Sequence, residues 1–135
     1  MEQKKHTVPY TPQQNGVVER KNKSLKEMAS FMLHARSLLQ KLWAEALNCA
    51  NYIQHRSPHR FVKDQTLFEA WSDNKPEVTH FCIFGSQAWA CIPSEKRKAL
   101  DPLSIACIFV FYPDGVKGYI LIDPSIDQLI IECNV

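Results

Sequence analysis

Residues 10–22 read YTPQQNGVVERKN, and their reading decides the rest. Two amides, an Asn-Gly break and a Glu-Arg-Lys run stand just ahead of a long apolar-periodic segment. Pro9 and Pro12 limit residues 5–11, KHTVPYT, to at most the end of a strand. Gln13 and Gln14 then fall in a loop, and Asn15 is placed to cap a helix. From there to about Arg36, Val18, Leu25, Met28, Met32 and Ala35 recur at helical spacing, which predicts an amphipathic helix. Glu19, Lys23 and Lys26 lie off that stripe.

Downstream, Leu38, Leu39, Leu42, Trp43, Ala46, Leu47, Ala50 and Ile53 predict a second helix, stopped at Ser57-Pro58. TLFEAW (66–71) predicts a short third one, and SDNKPE (72–77) a polar joint. The period then changes to that of strands in FCIFG (81–85), QAWACIP (87–93), ACIFVFY (106–112), GYILID (118–123) and QLIIECN (128–134). Pro113-Asp114-Gly115 and Asp123-Pro124-Ser125 are turn signals between them. The expected class is α+β, helices over 1–75 and a small antiparallel barrel over 76–135. Trp43, Trp71 and Trp89 fit apolar stripes and are expected in the core.

With 45% hydrophobic and 22% charged residues, the 135-residue chain has an ordinary globular composition. No apolar run approaches the ~20 residues of a membrane span, and no secretory signal opens the sequence, so a cytoplasmic or nuclear location is expected. Five cysteines without a C-x-x-C pair predict reduced, mostly buried thiols rather than disulfides or a metal site. The net charge of +2 is uneven: residues 1–41 hold eight Lys/Arg against three Glu. That basic third suits either a solvated helix face or a phosphate backbone.

The opening stretch closely resembles the third catalytic motif of integrases from copia-type LTR retrotransposons. The resemblance continues through EMASFMLHARSLLQKLWAEALNCANYI, HRSP and EAWSDNKPEVTHFCIFGSQAWACIP to EKRKALDPLSIACIFV and KGYILIDP. It implies the helical end of an RNase H-like core (1–75) followed by an SH3-like domain (76–135). It departs where Phe111 stands at a family glycine and Ser86 at a frequent cysteine.

The resemblance assigns Glu19 as the third carboxylate of a two-Mg²⁺ site, the other two ligands being Asp residues upstream of it. Such metals clamp the attacking and leaving oxygens of a phosphodiester, and carboxylates suit Mg²⁺. It also implies DNA contacts for Gln13, Gln14 and Asn15, with Arg20, Lys21, Lys23 and Lys26 adding positive charge. Here every Asp (Asp64, Asp73, Asp101, Asp114, Asp123, Asp127) follows Glu19. The expectation is therefore a chain that begins inside the catalytic domain, holds no cofactor by itself and does not catalyse alone. DNA, a second copy or another element-encoded protein is the expected partner. Two alternatives stay open: a co-opted protein-interaction module on the barrel, and an element remnant without function.

Overall fold

A computed structural model describes residues 12–60, 62–115 and 117–132, with side chains from Asn15 onward. The strand end expected in residues 5–11 lies outside that range. Helix α1 spans Pro12–Ala35. Proline suits a first helical position, where its missing N–H costs nothing and its fixed φ is already helical. Gln13, Gln14 and Asn15 are thus helical residues; the expected loop and Asn15 cap are corrected, because Pro12 starts the helix three residues earlier.

The buried stripe of α1 is Leu25, Ala29 and Leu33, an i, i+4, i+8 row, with Met28 and Met32 partly covered. Val18, expected on the stripe, is 56% exposed. The reason is length. Helix α2, Trp43–Arg56, has 14 residues against 24 in α1, roughly 21 Å against roughly 36 Å, and leaves the start of α1 uncovered. Between them, Ser37 takes a left-handed conformation (φ 49°), and Leu38 N–H reaches back to Leu33 O at 3.0 Å. That Schellman closure, completed by Ser37 N–H to His34 O, turns the chain into a short 3-10 segment, Gln40–Leu42.

Ala46, Cys49 and Ala50 are fully buried on α2, small enough to let backbones approach. The helix stops before Pro58, as expected, with Ser57 Oγ donating to Ile53 O at 2.8 Å. Helix α3, Leu67–Ser72, is closed by a capping box: Thr66 Oγ1 accepts from Glu69 N–H, and the Glu69 carboxylate accepts from Thr66 N–H.

Strands β1 (Gln87–Cys91), β2 (Ser104–Phe111), β3 (Tyr119–Asp123) and β4 (Gln128–Glu132) form an antiparallel meander in sequence order. The sheet is open, with β1 and β4 at its edges. The strand expected at 81–85 does not form. Gly85 turns the chain with φ 76°, and the segment keeps only the Gly85 N–H to Phe109 O and Phe109 N–H to Ser86 O bonds beside β2.

The pairings Ala88↔Cys107, Phe109↔Leu121 and Leu121↔Ile130 put these residues on one face, which is buried or nearly so. One core runs from Ala29, Leu33, Leu42, Ala46 and Cys49 into Ala88, Cys107, Phe109 and Leu121, so helices and sheet bury each other. A bulge between Phe109 and Phe111 breaks the β2–β3 register. It turns Phe111, the residue at the family's glycine position, edge-on to Tyr52 with centroids 6.2 Å apart.

The tryptophan expectation fails at all three positions. Trp43, Trp71 and Trp89 are 57%, 77% and 54% exposed: Trp43 stands at the open α1–α2 seam, and Trp89 is on the sheet face opposite the buried Ala88 and Ala90. Cys49 and Cys107 are buried, Cys82 is half-buried and Cys91 is exposed. Cys133 lies outside the described residues.

Candidate nucleic-acid interface on the first helix

Glu19 is exposed on the first half of α1. Lys23 and Lys26 follow it at i+4 and i+7 and therefore share its flank. Both lysines are exposed, as is Arg20, whose Nε donates to Gly16 O at 3.1 Å in the preceding turn. Lys23 lies 3.9 Å from Glu27, a solvent-exposed pair of little energetic weight. Three cations thus spiral around solvent at three-residue steps.

Lys21 is set apart from that row. Its ammonium donates to His55 Nε2 at 3.3 Å, at the far end of α2. Burial first, and then the charges of Lys21 and Arg56, hold His55 below the ordinary histidine range, so it faces Lys21 as a neutral acceptor. Nothing local in the sequence signals this pair, since 34 residues separate its members. Asn15 is exposed, and Gln14 and Gln13 are one and two residues nearer the helix start.

The donor set does not fit a two-metal site. Mg²⁺ demands near-octahedral oxygen ligation, and among the described residues no group of three or more His, Cys, Asp or Glu side chains comes together. Glu19 stands as a single carboxylate beside cations.

Sequence reasoning missed a second cluster. Tyr52, His80, Phe81 and Tyr112 pack ring to ring, and the Arg56 guanidinium lies 3.5 Å from the centroid of Tyr52 and 4.6 Å from that of Phe68. Every hydroxyl in it that touches a neighbour does so inside the protein: Tyr52 to His80 Nε2, Tyr112 to Cys82, Tyr119 to His80 O.

An open antiparallel sheet packed on helices, with a basic flank on the first of them, defines a class that comparison makes specific. Residues 86–135 match the retroviral polymerase SH3-like domain. The chain belongs with retrotransposon Pol polyproteins, as a segment that carries this domain.

It is 40% identical over 118 residues to the retrovirus-related Pol polyprotein from transposon TNT 1-94 of Nicotiana tabacum, covering 87% of this chain and 9% of that protein. Two Arabidopsis thaliana relatives, the Pol polyproteins from transposons RE2 and RE1, are 27% and 24% identical over 83% and 94% of this chain. The chain spans 8% and 9% of their lengths. No solved structure matches it. Among the described residues, no helix is long and apolar enough to cross a membrane.

Proposed function

We propose that the chain is the end of a copia-type integrase's catalytic core joined to its SH3-like domain, and that it binds DNA. The observation that carries this is the exposed row Arg20, Lys23 and Lys26 on α1, with Lys21 beside it. Phosphate oxygens need cations in that open arrangement and no deep pocket. Asn15, Gln13 and Gln14, at the start of the same helix, extend the surface toward the sugar-phosphate backbone. In a complete enzyme of this type, Mg²⁺-dependent strand transfer would draw on Glu19 together with two Asp residues that this sequence does not contain before it.

Fluorescence anisotropy with labelled duplex DNA at about 50 and about 200 mM salt tests the reading. Each phosphate contact contributes a slope of about −0.9 in log K against log salt. Affinity should fall by orders of magnitude between the two conditions. Arg20→Glu with Lys23→Glu should abolish binding while circular dichroism stays unchanged. Salt-independent binding, or full affinity in that double variant, would sink the proposal.

One observation favours the protein-interaction reading. Trp89, Leu129 and Ile131 share the outer face of the sheet and are 54%, 57% and 61% exposed. Apolar contact there would bind with little dependence on salt, which the same titration format separates from phosphate contact.

A further inference from the structure

Helices α1 and α2 do not close against each other along their whole seam. Toward the α1–α2 turn a cavity of about 520 Å³ opens between Ala29, Leu33 and Leu38 of one side and Trp43 and Leu47 of the other. Toward the start of α1 a second, of about 460 Å³, is floored by Leu25, Ala44 and Leu47. The two meet at Trp43 and Leu47, so a groove follows the seam from Ser37 back to Lys21.

Two properties define what fits this groove. Its floor is apolar, and Trp43, 57% exposed, stands at its middle as an uncovered aromatic anchor. Its charged lining is one-signed: Lys21 and Lys26 face it with His34, Ser and amide groups, and no Asp or Glu lines either cavity. An acid-free rim over an apolar floor complements a ligand with an apolar stripe flanked by carboxylates. A nucleic-acid backbone matches the rim but not the floor, since phosphates gain nothing from Leu25, Leu33 and Leu47. From Lys21 to the end of α1 at Ala35 the rise is 14 residues, about 21 Å, the length of a helix of about four turns.

We propose that this groove is a docking site for an acidic amphipathic helix of a partner protein, with Trp43 as the anchor and Lys26 as the main charge contact. This is the helix-in-groove mode, in which apolar residues at i, i+3, i+4 and i+7 supply affinity and flanking charges fix register. It goes beyond the DNA-binding reading and does not depend on it, because the floor and Trp43 play no part in phosphate contact.

The test is an anisotropy titration of the full chain against a fluorescein-labelled 18-residue peptide, Leu on one helical stripe and Glu on the flanks. A scrambled peptide of the same composition is the control. The amphipathic peptide should bind saturably and the scrambled one at least about tenfold more weakly. Trp43→Ala and Lys26→Glu should each cost about tenfold, the scale of an aromatic or charged hot spot. Trp71→Ala, an exposed aromatic change on α3, should leave affinity unchanged. Both changed residues are exposed, so circular dichroism should match the parent protein in every case.

Absence of binding, equal affinity for the scrambled peptide, or indifference to both groove variants would overturn the proposal. So would a Trp43→Ala variant that weakens duplex DNA as much as the peptide, because the groove would then belong to nucleic acid. Loss of DNA binding in Arg20→Glu/Lys23→Glu with peptide binding intact would leave the docking site standing by itself.

Discussion

Tyr52 of α2 stacks on Tyr112, just past β2, with ring centroids 4.6 Å apart and planes 24° from parallel. Arg56 covers the Tyr52 ring, and its hydroxyl shares a 2.9 Å hydrogen bond with His80 Nε2. The Tyr112 hydroxyl accepts from Cys82 N–H at 2.9 Å, and burial pushes its pKa up to about 12. The pair pins the helices to the sheet. Tyr52→Ala should cost about 3 kcal/mol through lost burial and an unfilled cavity. Tyr52→Phe keeps the stack and loses only the His80 bond, about 1 kcal/mol. Urea denaturation that ranks the two in the opposite order would show the stack is not the joint.

Two glycines should respond to alanine with opposite signs. At Gly85, φ is 76° and an added Cβ would lie 2.5 Å from Leu38 Cδ1 and 3.1 Å from Arg36 Cγ. The left-handed backbone alone costs roughly 1–2 kcal/mol in a residue with a side chain, and the clash with the α1–α2 turn adds to it. Gly16 sits inside α1 with nothing within 4 Å of the new methyl. Gly16→Ala should therefore stabilise by up to about 1 kcal/mol. Thermal melts of both variants check the pair of signs.

His55 should titrate below the usual histidine range, and removing the Lys21 charge should move it back up. The sign for stability follows: in the unfolded chain His55 takes a proton near ~6.5, whereas in the folded protein it resists until lower pH. Acidification through that window favours unfolding. Lys21→Gln should raise the His55 pKa in an NMR titration and flatten the stability curve there. An unchanged pKa in Lys21→Gln would show that the two side chains do not meet in solution.

Asp123 is a buried carboxylate that ends β3. It accepts from Ser125 Oγ at 2.5 Å and from Ser125 N–H at 2.8 Å, the bonds that lower its pKa. Its contribution is complete above the ordinary aspartate range of ~3.9 and is lost as pH falls toward the lower folded value. Ser125→Ala removes the largest cause, the hydroxyl bond. The Asp123 carboxyl resonance should then titrate at higher pH, with the N–H groups of residues 125 and 126 still lowering it.

Thiol labelling separates the cysteines by burial. Cys91 is exposed and should react first at pH 8, while Cys49, raised to about 11 by burial, should stay unlabelled until denaturant is added. Fast labelling of Cys49 in native buffer would mean that the α1–α2 packing opens.

Local chemistry made much of this architecture readable in sequence. The stop at Ser57-Pro58, the helix in TLFEAW and four of five strands follow from periodicity and turn residues, forces that act within a few positions. The identities of Glu19, Arg20, Lys23 and Lys26 as site candidates were also legible, through the resemblance of one 13-residue stretch. Burial was not, because it depends on what lies opposite. A stripe that would bury Val18 stays wet when α2 is ten residues shorter than α1. Trp43 sits on an apolar stripe yet lines an open seam, and FCIFG has strand composition yet turns away at Gly85. The sequence by itself determined which segments become helix or strand and which side chains carry charge. Only tertiary structure decided which faces meet and that Lys21 would touch His55, since reach and closure are properties of pairs of elements and not of either one alone.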